Sequence, residues 1–179
     1  MPKSIAVFGA GPGLGRALAR RYAQEGYDVV LVARSQQGLD VFAKDLSGLG
    51  VSAHVITADL ADTAGVPALG ERIRAAILTA QGASTLHGLP NMSGSGPAQA
   101  AQRNYLQSLH TEVADKGVYV GMLYIGAVIE NSAFHTFTVE SDAAGTGRYW
   151  GPTVSPDHLA DLLWNMHSTK GESEAKYPE

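Results

Sequence analysis

IAVFGAGPGLGRALARRYAQEGYDVVLVA, which spans residues 5–33 of a 179-residue chain, contains two kinds of hydrophobic pattern. The apolar run IAVF stops at a cluster of glycines, and apolar residues with helical spacing follow from Leu14 to Gln24. A glycine separates this segment from a second apolar run, VVLV. Continuous apolar runs are typical of strands that are buried on both faces, as in a parallel sheet. The stretch therefore predicts a strand, a glycine-rich turn, a helix and a second, parallel strand.

The glycine-rich turn has the composition of a phosphate-binding loop. Gly9, Gly13 and Gly15 are spaced as G-x-x-x-G-x-G, with Leu14 between the last two. Glycines let the backbone approach a phosphate without a Cβ in the way, and the N-terminus of the next helix directs N–H groups at it. Between a strand and a helix, such a turn predicts a dinucleotide site. The alternative is that the glycines serve only the close packing of helix on strand.

The rest of the chain continues the alternation of helices and strands. Apolar periodicity and Gly, Pro or Ser boundaries predict helices over Gly38–Leu46, Pro67–Ala76, Ala98–Ala114 and Pro156–His167, and strands at Val55–Ile56, from Ile77 and over Val118–Ile125. This order predicts an α/β protein with a doubly wound parallel sheet. We expect one domain over residues 1–179, with an irregular substrate or lid loop at residues 130–153 and a loose charged tail at residues 170–179.

Composition excludes several classes of site and partner. The formal net charge is −4, whereas nucleic-acid-binding domains are usually basic. The chain has no cysteine, and its six histidines never stand at H-x-H or i,i+4 spacing, so we expect no thiolate chemistry and no metal site. No apolar run approaches the ~18 residues of a membrane span. We expect a cytoplasmic protein whose partner is a small molecule, with no nucleic-acid or membrane contact.

The motif and its setting resemble the short-chain dehydrogenase/reductase family over most of residues 4–130. The resemblance implies a Rossmann-type sheet and an NAD(P)-dependent oxidoreductase, in which the glycine motif holds the pyrophosphate of the cofactor. By the same resemblance, Asp59 and Leu60 contact the adenine ring, and Ile125 and Gly126 border the nicotinamide.

The end of the second strand predicts which cofactor is preferred. An NAD-binding site uses a carboxylate there to accept a hydrogen bond from the ribose 2′-hydroxyl, and this chain has Ala33 instead. Arg34 and Ser35 follow, and a guanidinium with a hydroxyl can hold a 2′-phosphate. NADP is therefore predicted in preference to NAD, the alternative being that Arg34 is a solvated surface charge. Arg16 is either a second phosphate contact or part of the helix surface.

The catalytic residues of the resembled family are missing. The family uses a Tyr-x-x-x-Lys pair and a Ser about thirteen residues before the Tyr. Alignment on the long central helix puts Ser95 at the Tyr position, Gln99 at the Lys position and Gly82 at the Ser position. Gln99 can bond a ribose but has no positive charge. Tyr124 is a possible substitute acid, although a tyrosine in an apolar strand is more often part of the core.

A family element is also missing near residue 76. The family has a strand with an Asn-x-Ala-Gly motif and a long helix before the strand that begins here at Ile77. In this chain the predicted helix runs into Ile77 without the Gly, Pro, Asn or Ser that usually ends a helix. We expect a gap in the sheet beside the first strand, and exposed apolar surface that leaves the chain marginally stable or makes it a homo-oligomer.

Two functional hypotheses follow. The first is an NADP-binding oxidoreductase that transfers hydride between NADPH and a carbonyl or alcohol substrate, with an atypical active site. The second is a catalytically inert dinucleotide-binding module that acts as a sensor or interaction partner. Turnover of NADPH with a carbonyl compound distinguishes them. A third possibility is a deletion product with little function of its own, and the substrate stays open.

Overall fold

The computed structural model describes residues 3–58, 76–88, 93–145 and 151–178. The strands in this part of the chain are β1 (Ser4–Phe8), β2 (Asp28–Ala33), β3 (Ala53–Thr57), β4 (Ile77–Gly82), β5 (Val120–Ile125), β6 (Val128–Ile129), β7 (Thr153–Val154) and β8 (Glu174–Tyr177). The α-helices are α1 (Leu14–Gln24), α2 (Gln36–Ser47), α3 (Ser95–Val113), α4 (Ala133–Ala143) and α5 (Pro156–Thr169).

Two three-stranded parallel sheets organise these elements. The first has the order β1-β2-β3, with Leu31 of β2 opposite Val7 on one side and Val55 on the other. The second has the order β4-β5-β8, and β6 and β7 form a short parallel pair. Parallel strands alternating with helices confirm the predicted α/β class. The expectation of one domain over residues 1–179 stays a prediction.

The sheet is interrupted between β1 and β4. Among the described residues no ladder joins these two strands, although Ile5 of β1 and Leu78 of β4 line one small cavity. In the described part of the chain, the gap expected beside the first strand is thus present. The predicted helix over Pro67–Ala76 lies outside the described residues except for Ala76, which is not helical.

One face of the first sheet is covered by α1 and α2. These helices direct their apolar residues at the sheet because the spacing places those residues on one side. The buried cluster consists of Val7, Ala19, Ala23, Val29, Leu31, Leu39, Phe42 and Leu46. The alanines of α1 allow the helix to lie close to the strands, which brings the glycine turn at its N-terminus to the edge of the sheet.

Helices α1 and α5 pack against each other and connect the two sheets. Tyr22 of α1 is 1% exposed, and its hydroxyl forms a 2.8 Å hydrogen bond with Nδ1 of His167 on α5. The Tyr22 ring meets the edge of Trp164, and Arg21 donates from Nε to Asp161 at 2.7 Å. Since Leu18 of α1 also packs on the second core cluster, α1 touches both sheets.

The segment over residues 130–153 differs from the irregular loop that the sequence predicts. Helix α4 occupies Ala133–Ala143, and Ser132 caps it by accepting a 3.1 Å hydrogen bond from the His135 N–H. The helix escapes prediction because it buries only Thr138 and so has no apolar stripe. Its role as a lid stays a prediction.

The C-terminal tail is also more ordered than predicted. Residues 174–177 form β8, which pairs in parallel with β5. Arg103 of α3 holds this strand by donating to both carboxylate oxygens of Glu174, at 3.0 and 2.7 Å. Ala175 and Tyr177 also pack on the second core cluster, and the strand escapes prediction because it is only four residues long.

The last helix begins where the sequence predicts it. Ser155 caps α5 by accepting a 3.3 Å hydrogen bond from the Asp157 N–H, and Pro156 occupies the first helical position. Helix α3 begins three residues before the predicted start, at Ser95. Among the described residues, no helix combines the length and the apolar character that crossing a bilayer requires.

Candidate functional site

The glycine turn connects β1 to α1 at the carboxyl end of the first sheet. Gly9 has φ +75°, a left-handed conformation that favours glycine. A Cβ on Gly15 would lie 2.3 Å from the Gly9 carbonyl oxygen, so the first turn of α1 can approach the strand only because Gly15 has no side chain. The turn therefore has the close backbone packing that the sequence predicts for a phosphate loop.

The N-terminus of α1 has no side-chain cap. Gly13 is the N-cap residue and has no side chain to cap the helix, so the N–H groups of Leu14 and Gly15 have no described partner and can bind an anion, whereas the Arg16 N–H donates to the Gly11 carbonyl at 3.1 Å. A Cβ on Gly13 would lie 3.5 Å from Cβ of Ser132, the cap of α4. The N-termini of two helices thus meet at this turn, which gives it a positive potential.

A groove of ≈ 870 Å³ extends from the glycine turn to the start of α2. Arg34 and Ser35 line its far end, and Ala33 supplies no carboxylate there. Ser35 caps α2 and accepts a 3.4 Å hydrogen bond from the Gly38 N–H. Arg34 is exposed and makes no ion pair with any residue that the structure describes. Of the predicted phosphate-binding residues, Arg34 and Ser35 line the groove, whereas the glycine turn contributes Ala10, Gly11 and Pro12 to its lining.

Arg16 lies on the wall of the same groove but is already paired. Its guanidinium forms an ion pair with Asp45 and lies 5.2 Å from the ring centroid of Phe42. The charge of Arg16 is therefore partly neutralised by α2, whereas that of Arg34 is not. This difference makes Arg34 the stronger candidate for a phosphate contact.

The residues aligned with the family's catalytic positions converge in space. A Cβ on Gly82 would lie 3.3 Å from Oε1 of Gln99, so the end of β4 and the first turns of α3 are in contact. The Thr85 hydroxyl lies 3.0 Å from the same oxygen, and the Ser84 hydroxyl 3.5 Å from it. Ser95, one helical turn before Gln99, is exposed. The cluster is polar and neutral, with neither a phenol nor an ammonium.

Gly126, which follows β5, contacts the end of β8 and the residue after β4. Its N–H donates to the Tyr177 carbonyl at 2.7 Å, and a Cβ placed on it would lie 3.5 Å from Cβ of Ala83. Ile125, which precedes it, is buried at the end of β5. The structure thus brings the predicted nicotinamide border beside the end of β4. Sequence reasoning missed Tyr177 here, because its position depends on β8.

Tyr124 belongs to the core rather than to this site. It is 2% exposed, and its hydroxyl lies 2.8 Å from Oε1 of Glu174 and 3.1 Å from Nε of Arg103. Burial, with the Glu174 carboxylate, raises the pKa of Tyr124 to about 12. A phenol that is held so firmly in its protonated form between two partners is a poor acid catalyst.

Two further expectations concern the same region. Asp59 and Leu60, the predicted adenine contacts, lie outside the described residues. No group of three or more His, Asp or Glu residues suited to a metal ion occurs in the described part of the chain.

The fold and the site define an α/β protein with a dinucleotide-type glycine turn. A family model described as short chain dehydrogenase matches residues 3–94, and the chain belongs to that family. An oxidoreductase of Mycobacterium tuberculosis is 41% identical over 59 residues, which are 33% of this chain and 22% of that protein. The 3-oxoacyl-[acyl-carrier-protein] reductase of Bos taurus is 50% identical over 48 residues, 27% of this chain and 20% of that protein. The matched segments thus span about a fifth of these relatives' length.

Solved structures are similar over almost the whole chain. The L-sorbose reductase from Gluconobacter frateurii, complexed with NADPH and L-sorbose, has a TM-score of 0.80 at 18% identity, covering 98% of this chain and 94% of that one. A short-chain dehydrogenase from Sphingobium yanoikuyae in complex with NADPH has a TM-score of 0.81 at 20% identity, covering 99% and 88%. At these identities the similarity establishes the fold alone, and it confirms the Rossmann-type assignment.

Proposed function

We propose that this chain binds NADP(H) and transfers hydride between NADPH and a carbonyl or alcohol substrate. The groove between the glycine turn and Arg34 carries the proposal, because it runs from Ala10, Gly11 and Pro12, just before the uncapped N-terminus of α1, to a guanidinium that has no ion-pair partner among the described residues. The helix N-terminus suits a pyrophosphate and the guanidinium a 2′-phosphate. Family membership and the NADPH complexes of two similar structures support the same cofactor.

The preference for NADP over NAD rests on charge at the end of β2. Ala33 cannot accept from a ribose 2′-hydroxyl, whereas Arg34 can donate two charge-assisted hydrogen bonds to a 2′-phosphate. Ser35 lies beside Arg34 at the N-terminus of α2, where an anion is stabilised. The small-molecule substrate, the absence of nucleic-acid and membrane partners and the cytoplasmic location stay predictions.

Two single arginine variants, each titrated with NADP and with NAD, test the cofactor-binding part of the proposal. We expect Arg34→Ala to weaken NADP binding by about 1.5–3 kcal/mol, the range of a hydrogen bond to a charged group, and to leave NAD binding nearly unchanged. Arg20→Ala is the matched control, because Arg20 is an exposed arginine of α1 that does not line the groove. Calorimetry measures both cofactors. Equal affinities for NADP and NAD in the unmodified chain would contradict the proposal.

The residues at the family's catalytic positions predict slow oxidation of NADPH. Gly82, Ser95 and Gln99 stand where the family has its hydroxyl, phenol and ammonium, and general acid–base groups typically contribute ~10²–10⁴ in rate. Without these groups, catalysis relies on the positioning of the substrate by the bound cofactor and by the neutral Gln99–Thr85 cluster. Oxidation of NADPH with a panel of ketones and aldehydes is the measurement.

A non-catalytic binding module is the second candidate. The observation that favours it is the neutral cluster itself, in which Gln99 contacts Thr85 and Ser84 and no described group is placed to protonate a carbonyl. Such a module binds NADPH tightly and does not oxidise it with any carbonyl compound. Binding without turnover across the panel would therefore select this candidate, and measurable turnover would exclude it.

A further inference from the structure

The edge of β1 that faces the second sheet has backbone groups without partners among the described residues. In a parallel strand, alternate residues direct both N–H and C=O to the same side. The Lys3 carbonyl and the Gly9 N–H bond to β2, so the odd-numbered residues face β2. Ser4, Ala6 and Phe8 therefore direct their N–H and C=O groups away from β2, into the gap between the sheets.

The edge of β4 has the same property. Ile77 donates its N–H to the Tyr119 carbonyl at 2.7 Å, so this residue faces β5 and its neighbours Leu78 and Ala80 face the gap. In the part of the chain that the structure describes, no backbone hydrogen bond crosses the gap from either edge. Backbone groups that are buried from water are almost always paired in proteins. Ala6 and Leu78 are half-buried, whereas Ser4, Phe8 and Ala80 are exposed, so both edges are open to a partner strand along most of their length.

We call this space the inter-sheet slot, bounded by the backbone of Ser4, Ala6 and Phe8 on β1 and of Leu78 and Ala80 on β4. Its two edges run in the same direction, because Gly13, which follows β1, meets Ser132, which follows β5 and β6, at one end of the molecule. An extended strand is the element that can saturate both edges at once, since its own residues alternate between the two sides.

The floor of the inter-sheet slot admits only small side chains. Leu18 and Tyr22 of α1 and His167 of α5 line a cavity of ≈ 40 Å³ there. Protein interiors are packed so closely that a side chain pointing down from a strand in the slot must be about as small as alanine or serine. A leucine at such a position would collide with α1.

On the opposite face of the slot, a bound strand would place its side chains beside polar groups of β4 that have no described partner. Thr79 and Gln81 share the face of β4 on which Ile77 packs against the core cluster of α3. Gln81 is 6% exposed, and neither its amide groups nor the Thr79 hydroxyl has a hydrogen-bond partner among the described residues. A strand in the slot would lie about 4.8 Å from β4 and could supply a hydroxyl or amide to them.

We propose that the inter-sheet slot is a docking site for one extended strand of another protein, in which small residues alternate with Thr, Ser or Asn. The strand runs parallel to β1 and β4 and hydrogen-bonds to both. It joins the two three-stranded sheets into one continuous parallel sheet. Main-chain bonds supply the affinity, and the shallow floor supplies the specificity.

The described part of a second copy of this chain does not supply the occupant. Every described strand already pairs with at least one neighbour, whereas an occupant of the slot needs both of its edges free. A second copy would have to dismantle its own sheet to insert a strand. No described strand of a second copy therefore fits, and we assign the occupant to a different protein, as a segment that is extended and unpaired before it binds.

Titration of the full chain with the synthetic peptide KTATATATK tests the proposal. Its threonines and alanines alternate as the two faces of the slot require, and its terminal lysines keep it soluble. We expect saturable binding by calorimetry, together with slower hydrogen exchange at β1 and at β4. Failure to bind, or slower exchange at only one of the two strands, would overturn the proposal. Slow hydrogen exchange at the slot-facing amides before any peptide is added, in a monomer or a dimer, would also overturn the proposal.

Two N-methylated peptides test whether both edges are used. Methylating the alanine nitrogens removes donors to one edge, and methylating the threonine nitrogens removes donors to the other, because side-chain face and hydrogen-bonding side alternate together. We expect each peptide to lose binding. If one of them binds like the parent peptide, the strand is added to a single edge and the slot is not its site.

Two alternative substitutions of Ala80, to proline and to valine, test the same contact on the side of the chain. The Ala80 N–H faces the slot rather than β5, so Ala80→Pro removes a donor to the peptide and spares the β4–β5 ladder. Ala80→Val keeps the N–H, and Ala80 is exposed enough for the larger side chain. We expect Pro to abolish peptide binding and Val to retain it. The N-methylated peptides give the answer independently if the proline variant does not fold.

Discussion

Gly15 shows how one missing side chain positions the cofactor groove. Its Cβ would meet the Gly9 carbonyl oxygen at 2.3 Å, and a backbone oxygen cannot move aside by changing rotamer. We expect Gly15→Ala to lower the free energy of unfolding by about 1–3 kcal/mol, as overpacking typically does, and to weaken NADP binding. Urea unfolding and calorimetry measure the two effects.

Gly11→Ala is the matched control for this substitution. The nearest atom to a Cβ on Gly11 is the Gly9 oxygen at 3.9 Å, which is ordinary van der Waals contact. The control should therefore be as stable as the unmodified chain, and it serves for the unfolding measurement alone because Gly11 itself lines the groove. Equal losses of stability in Gly11→Ala and Gly15→Ala would mean that the glycine turn is generally intolerant, and that the close approach at Gly15 is not the cause.

Restoring the family's residues tests whether the active site is merely depleted. In the variant Gly82→Ser, Ser95→Tyr, Gln99→Lys, all three groups return to positions that the structure brings together at the end of β4 and the start of α3. We expect NADPH oxidation with a simple ketone to rise by ~10²-fold or more. Ser95→Phe with the same two partners is the control, because it lacks the phenol. A rise in both variants would show that the phenol is not the acid.

At the scale of elements, the ion pair between α3 and β8 makes the C-terminal strand sensitive to acid. Two bonds from Arg103, and further bonds from Tyr124 and Gln107, hold the pKa of Glu174 below its ordinary value of 4.5. Because the folded-state pKa is depressed, this stabilisation is complete above about pH 4.5 and is lost as the pH falls through the folded-state value.

Replacing the carboxylate tests this dependence. We expect Glu174→Gln to lower the free energy of unfolding at pH 7 by about 1 kcal/mol, since the pair is partly exposed and screened by solvent. The difference from the unmodified chain should shrink as the pH falls below 4.5. Glu172→Gln is the control, because the Glu172 side chain is exposed. Denaturant unfolding across the pH range is the measurement, and a difference that stays constant with pH would contradict the assignment.

At the scale of the whole molecule, the α1–α5 contact takes over the joining role that a continuous sheet would have. Tyr22 is 1% exposed at its centre, packed against Trp164 and bonded to His167. We expect Tyr22→Ala to destabilise the chain by about 3–5 kcal/mol, as truncation of a buried aromatic residue does. Tyr105→Ala, at a tyrosine that is 64% exposed, should change stability little. Thermal unfolding of both variants checks this, and similar losses would show that Tyr22 has no special joining role.

The gap also bears on the expected oligomeric state. The sequence predicts a chain that is marginally stable or that buries apolar surface by self-association. The two separate sheets agree with the premise of that prediction, and the self-association itself stays a prediction. Sedimentation of the chain with and without a strand-forming peptide addresses it.

The sequence alone determined the elements whose signals are local. Helix α1 has the predicted bounds, from Leu14 to Gln24, and α5 begins at the predicted Ser155–Pro156 cap. These predictions succeed because glycine turns, caps and apolar stripes depend on residues that are close in the chain. The family resemblance likewise came from one contiguous motif, and the family model matches the region around it.

Only the tertiary structure decided what depends on residues far apart in the chain. Strand β8 forms because β5 and Arg103 hold it, although its four residues are too few to reveal a strand from sequence. Helix α4 buries almost nothing, so periodicity could not reveal it. The place of Tyr124 in the core agrees with the sequence, but its partner Glu174, fifty positions later, was not predicted. Hydrogen bonds and ion pairs between distant segments leave no periodic signal in either partner, and for that reason these features appear only in the folded chain.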